Sequence, residues 1–220
     1  MKVFKFGGAS VKNAEAVRNV NDIVSAYPDD QLWIVFSAMG KTTNALEQVA
    51  NAWIKGESTA VDYLKSVESY HLEVANDLGV EDEAVMVWIN KLKQIIIQTP
   101  PSGYDEGYDR IVSYGELIST SLISAFLHKN NYQHSLLDAR KIIITDHTHR
   151  NGIINWQETE NKITAVHEEN LSGRSTRVFI TQGFIGCTMD GKPVTLGREG
   201  SDFSAAIFAW ALKADEMIIW

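Results

Sequence analysis

The chain has one cysteine, no Lys/Arg-rich block, no long apolar run, no internal repeat and no low-complexity linker. Each absence excludes something. A lone Cys187 rules out an internal disulfide framework and any all-cysteine metal site, and it suits a reducing compartment. Twenty Lys+Arg stand against 28 Asp+Glu, a formal charge of −8. With no basic block, the electrostatic footprint of a nucleic-acid binder is missing. The longest apolar run, Ala205–Leu212, is far short of the ~20 residues a membrane-spanning helix needs. The start, MKVFKFGG, has neither the apolar stretch nor the cleavage site of an export signal. The chain therefore reads as soluble and cytoplasmic. The 45% hydrophobic and 22% charged residues of these 220 positions are ordinary for a globular protein and exclude dominant disorder. The length fits one large domain or two small ones.

Periodicity supplies the elements. Lys2–Phe6 alternates and stops at Gly7-Gly8, which predicts a strand. Asn13–Tyr27 carries Ala14, Val17, Val20, Ile23 and Val24 at helical spacing. Leu32–Phe36 is a continuous apolar run, as in a strand buried on both faces. This β-α-β opening implies a parallel pair. Helical patterns follow over Asn44–Lys55, Ala60–Leu78, Glu83–Gln98 and Tyr114–Lys129. The strongest break, Thr99–Gly103, reads as a loop within one helical layer. Short strands are expected at Ser135–Leu137 and Ile142–Thr145, a helix at Glu158–Glu169 and a strand at Arg177–Thr181. Phe184–Leu196 reads as a hairpin turned at Asp190-Gly191. Gly200–Lys213 reads as a helix and Glu216–Trp220 as a strand. The last strand is cut short by the chain's end, so the sequence reads as a piece of a longer protein.

Three segments share a strand, a small-residue turn and a helix start: Lys5-Phe6-Gly7-Gly8-Ala9-Ser10, Ser37–Asn44 and Thr195–Asp202. In a parallel sheet such turns gather at the carboxyl ends of the strands, where ligands bind. Glycines let the backbone approach closely, and helix N-termini offer N–H groups to anions. Lys5 and Arg198 add positive charge. These features point to a small anion or phosphate. Gly40-Lys41-Thr42 is not a P-loop, because Val35 stands where its first glycine belongs, and no G-x-G-x-x-G exists. For Gly197–Asp202, an ordinary N-cap at Ser201 or Asp202 competes with anion binding. Glu116, at a helix start, is either a carboxylate favoured by the helix dipole or an acceptor for an ammonium; the residues alone favour the former. His147 and His149 have no third ligand nearby, so no metal site is expected. His71, His128, His134 and His167 read as solvated or amphipathic positions, and Cys187 as a small buried residue.

Taken together these segments resemble the catalytic part of the aspartate kinases, in the amino-acid kinase superfamily. Lys5–Ser10 resembles that family's K-F-G-G-T-S, and Ser37–Asn44 its S-A-x-x-x-x-T-N. Val112–Glu116 resembles V-S-x-G-E. Gly183–Gly186 followed by Thr195–Asp202 resembles G-F-x-G then T-L-G-R-G-G-S-D. Two residues depart: Ala9 stands for threonine, and Glu199 stands for a glycine and adds negative charge beside an anion site. The resemblance implies a three-layer α/β/α fold with a mainly parallel central sheet, carbamate kinase-like, with a helical insertion. It implies that residues 1–220 are the N-terminal, amino-acid-binding part, with the nucleotide-binding part and the ACT regulatory domains lying outside it.

The implied substrates are L-aspartate and ATP with Mg2+, and no protein metal ligand; a homodimer is compatible with it. By the family's pattern, Lys5 stabilises the transferring phosphoryl group and Asp202 orients Lys5. Gly7, Gly8 and Ser10 meet the ATP phosphates. Arg198 pairs with a substrate carboxylate, Glu116 takes the α-ammonium, and Ser37, Thr43 and Ser201 place the aspartate. Two alternatives stand beside this: a non-catalytic amino-acid-binding module, and a kinase acting on glutamate, acetylglutamate, carbamate or UMP.

Overall fold

The computed structural model of the chain describes residues 1–173 and 177–220. Five strands form one parallel sheet in the order β3 (Ser135–Leu136), β5 (Val178–Gln182), β2 (Leu32–Phe36), β1 (Lys2–Phe6), β8 (Glu216–Ile219). Six helices cover one face: α1 (Ala14–Ser25), α2 (Thr42–Ile54), α3 (Ala60–Leu78), α4 (Glu83–Ile96), α5 (Tyr104–Val112) and α6 (Tyr114–Lys129). Two cover the other: α7 (Trp156–Gly173) and α8 (Gly200–Ala211). The result is the expected three-layer α/β/α arrangement. A smaller mixed sheet, β4 (Ile144–Thr145), β6 (Ile185–Thr188) and β7 (Pro193–Thr195), sits beside it.

The two central strands carry alternate side chains to separate cores. Phe4 and Phe6 of β1 and Leu32, Ile34 and Phe36 of β2 face the six-helix layer. Val3, Trp33 and Val35 face α7 and α8. β2 is buried throughout, which explains its unbroken apolar run, and β1 is buried from Val3 to Phe6. Trp33 anchors the second core: it is fully buried, with its ring centroid 4.9 Å from Phe179 and 5.2 Å from Phe208.

The structure corrects several expectations. Residues 104–112, to which the sequence pattern assigned no element, form α5, which carries Tyr108, Ile111 and Val112 into the core. The strand expected at Ile142–Thr145 shrinks to Ile144–Thr145, behind a 3-10 turn at Ala139–Lys141. His71 and His134 are buried rather than solvated. Each has both ring nitrogens engaged: His71 with Thr42 Oγ1 and the Val67 carbonyl, His134 with Ser124 Oγ and the Tyr132 carbonyl. Burial pushes both imidazoles down to about 4. The Asp190-Gly191 turn closes β6 onto β7 as expected, and Cys187 is buried. Among the described residues no helix is long and apolar enough to cross a membrane.

Replacing Trp33 with alanine should cost roughly 3–5 kcal/mol, the usual penalty for emptying a buried aromatic site. The half-exposed Trp210 is the control, expected to cost less than about 1 kcal/mol. Urea unfolding of both variants checks the assignment of the two cores.

Candidate active site

The parallel pairing of β1 and β2 brings their carboxyl ends side by side. The turns beyond them are then tied together: Ser37 N–H donates to the Phe6 carbonyl at 3.1 Å, and Gly40 N–H to the Gly8 carbonyl at 2.9 Å. A side chain at position 8 could not fit, since a Cβ there would lie 2.8 Å from the Ala38 carbonyl oxygen. From the other layer, α8 aims its first turn at the same place. Ser204 holds it there, accepting from Phe184 N–H and donating to the Gly200 carbonyl, both at 2.9 Å.

Between these elements lies a cavity of about 540 Å³, a size suited to a small metabolite. Of the residues the sequence nominated, Lys5, Gly8, Ser37, Thr43, Glu116, Arg198, Ser201 and Asp202 line it. Lys5 Nζ pairs with Asp202 Oδ1 at 2.5 Å. Gly7 and Ser10 do not line the cavity. The Gly7 N–H and the Ser10 hydroxyl both donate to the Trp220 carbonyl, at 3.3 and 2.9 Å.

Glu116, in the first turn of α6, is 3% exposed. Its burial, more than helix-dipole placement, is its dominant feature. Oε2 is buried with no hydrogen-bond partner. Burial pushes its carboxyl well above the usual 4.5, although the Ala38 N–H and the Lys5 ammonium pull it back. A carboxylate left this way in a cavity lacks a cationic partner.

The N-terminus of α8 differs from the expectation. Its cap is Glu199, in the left-handed region at φ +58°, and neither Ser201 nor Asp202 serves as one. A glycine adopts that conformation freely, which is a physical reason for glycine at this place in the resembled motif. Glu199 accepts the strain and lies 3.8 Å from Arg198 Nε. The Arg198 side chain is 95% exposed, so this pair holds it weakly.

Sequence reasoning missed two lining residues, Tyr108 and Arg150, and gave Phe184 and Thr195, which lie in segments it singled out, no role of their own. It also missed Asp109, fully buried on α5. Asp109 accepts from Thr195 Oγ1 at 2.6 Å, from the Arg150 N–H at 2.9 Å and from His149 Nδ1 at 2.9 Å. Burial raises its carboxyl, and those three donors oppose the rise. His147 meets Asp190, so the His-x-His pair is split between two carboxylates. Among the described residues no group of three His, Cys, Asp or Glu side chains could hold a metal ion.

A parallel sheet with a Gly-Gly turn, a buried carboxylate and a Lys–Asp pair at its carboxyl edge defines a small-molecule site of the amino-acid kinase type. The sequence pattern of the amino acid kinase family matches residues 1–220, and the chain belongs to that family. It is 32% identical to the chloroplastic aspartokinase 2 of Arabidopsis thaliana over 99% of its own length and 41% of that protein's. Its fold is similar to E. coli aspartokinase III in complex with lysine and aspartate, with a TM-score of 0.89 and 28% identity over the whole chain and 49% of that structure. The same enzyme in complex with aspartate and ADP gives a TM-score of 0.88 at 27% identity, over the whole chain and 48% of that structure. The chain thus spans about half the length of these relatives, or less.

Glu116→Gln tests the buried carboxylate. Above pH 4.5 an unfolded glutamate sheds its proton freely. Native Glu116 binds its proton more tightly, so this group makes stability fall as pH rises beyond that value. The Gln variant should therefore be more stable than the parent at neutral pH, with the difference closing as pH falls toward 4.5. Thermal melts across that range give the answer; parallel pH profiles would refute the assignment.

Proposed function

We propose that this chain is the acceptor-binding part of an aspartate kinase. In that reaction the γ-phosphoryl group of MgATP passes to the β-carboxylate of L-aspartate, giving 4-phospho-L-aspartate, the first step toward lysine, threonine and methionine. The observation that carries this reading is the cavity's charge pattern. A buried carboxylate without a partner, a loosely held guanidinium and a Lys–Asp pair line one small space. An amino acid with an ammonium and two carboxylates complements all three. Family membership and the likeness to aspartokinases, one of them in complex with aspartate and ADP, support the same choice.

The nucleophile is already a carboxylate, so the site needs no general base. Its work is positioning and charge cancellation. Glu116 takes the α-ammonium, which supplies the missing partner of Oε2. Arg198 leaves its weak pairing with Glu199 for a substrate carboxylate. Ser37, Thr43 and Ser201 place the substrate by hydrogen bonds. Lys5, oriented by Asp202, meets the charge that develops on the transferring group. The Gly8 turn fits an approaching phosphate, because its backbone is bare of side chains. Mg2+ enters as the counter-ion of ATP and is assigned no protein ligand. A reducing compartment, such as the cytoplasm, suits the single free thiol.

One observation favours a second reading, binding without transfer. The Gly7 N–H and the Ser10 hydroxyl, which would meet the ATP phosphates, are engaged by the Trp220 carbonyl. Calorimetry and a hydroxylamine trap for the acyl phosphate separate the two. Arg198→Ala should weaken L-aspartate binding by roughly 2–5 kcal/mol. Lys5→Met should abolish hydroxamate formation while aspartate still binds. Aspartate binding with no hydroxamate, in a chain that also binds MgATP, selects the second reading, and a folded chain that binds no aspartate overturns both.

A further inference from the structure

Arg150 lies in the turn between β4 and α7 and lines the same cavity as Lys5 and Arg198. Its φ is +64°, a conformation costly for a residue with a side chain. Phe184 and Glu199, at φ +65° and +58°, line that cavity too. Strain of this kind persists only where the surroundings over-determine it. Here the determinant is Asp109, whose buried carboxylate holds the Arg150 N–H on one side and Thr195 Oγ1 on the other. The turn is thereby fixed to β7, the strand that leads to Arg198.

The Arg150 guanidinium is also pre-positioned. It lies 4.4 Å above the Tyr108 ring and 5.6 Å from that of Tyr104, and its Nη1 donates to Asp105 at 3.3 Å. The other N–H donors of the fork have no hydrogen-bond acceptor among the described residues. Of the cavity's cations, Lys5 is committed to Asp202 and Arg198 is nearly free in solvent. Arg150 is the guanidinium whose backbone conformation and stacking on tyrosine rings both constrain it before a ligand arrives, a condition that favours bidentate recognition of a carboxylate.

We propose that Arg150 is a second carboxylate-binding residue of the acceptor site, taking, with Arg198, the substrate carboxylate that is not phosphorylated. The proposal rests on the aspartate-kinase reading above. It gives the site a preference for acceptors that keep a free α-carboxylate, and it gives Asp109 the part of a positioning residue.

The test is calorimetric titration of L-aspartate and of L-aspartate α-amide into the whole chain and into Arg150→Ala, Arg150→Lys, Arg150→Gly and Arg198→Ala. Arg150→Ala should lower the affinity for L-aspartate about 10- to 100-fold and leave the α-amide within about two-fold. Arg150→Lys keeps the charge without the fork and should fall between. Arg150→Gly removes the φ strain, so it should melt no lower than Arg150→Ala and still lose the affinity. An unchanged aspartate affinity in Arg150→Ala, or equal losses for acid and amide, overturns the role of Arg150 and leaves the acceptor reading standing. If the parent chain binds no L-aspartate, that reading fails. The same series with L-glutamate and N-acetyl-L-glutamate then tests Arg150 independently, and a folded chain that binds none of them overturns both.

Discussion

The register between β1 and β2 is the constraint on which the site depends. Lys5 pairs with Val35, and Phe6 with Phe36. Because side chains alternate, Lys5 shares a face with Val3 and looks toward α8, where Asp202 meets it, while Phe4 and Phe6 enter the other core. A slip of one residue would bury Lys5 among the six helices and turn phenylalanines toward α8. Two dry cores of opposite demand therefore fix a cation at the strand end. The same register sets Gly8 against Gly40, and so brings together the two turns that form the floor.

Two buried carboxylates show how differently the protein treats charge. Asp109 is saturated: a hydroxyl, a backbone N–H and an imidazole all donate to it. It joins α5, the β4–α7 turn and β7 without needing anything else, and removing it would leave those donors unpaired. Glu116 is left with a bare oxygen in a cavity wall. The Ala38 N–H and the Lys5 ammonium offset that desolvation only in part, so Glu116 weakens the fold, and in the proposed reading a ligand supplies the missing partner. The contrast is between a carboxylate whose hydrogen bonds are complete and one with a bare oxygen facing a cavity.

Much of the fold was legible because its signals are local. Ala60–Leu78 and Tyr114–Lys129 were read from their periodicity to the residue, and β1 and β2 from an alternation and an apolar run that end at turns. The missed helix, α5, is short, has Gly107 in its middle and follows two prolines, so propensity argues against it. Packing of Tyr108, Ile111 and Val112 overrides that preference. The buried histidines misled for a related reason: their partners lie on backbone and hydroxyl groups that no pattern announces. Within the site, the residues on strand-end turns were legible as motifs, and the structure does gather Lys5, Ser37, Thr43, Glu116, Arg198 and Asp202 around one cavity. Arg150 and Asp109 were not, because forty residues separate them and only the tertiary fold brings them into contact.

In the proposed reading Glu116 is held for a substrate ammonium. Its most direct test is the proton balance of binding. Calorimetric titrations of L-aspartate, run in buffers of different ionisation enthalpy between about pH 5 and 8, count the protons exchanged. Since burial favours the protonated carboxyl in the empty site, an arriving ammonium should drive ionisation. Net proton release is therefore expected within that range, and it should disappear in the Glu116→Gln variant. Aspartate binding with no proton release at any pH in the range, or release that persists in the variant, would contradict it.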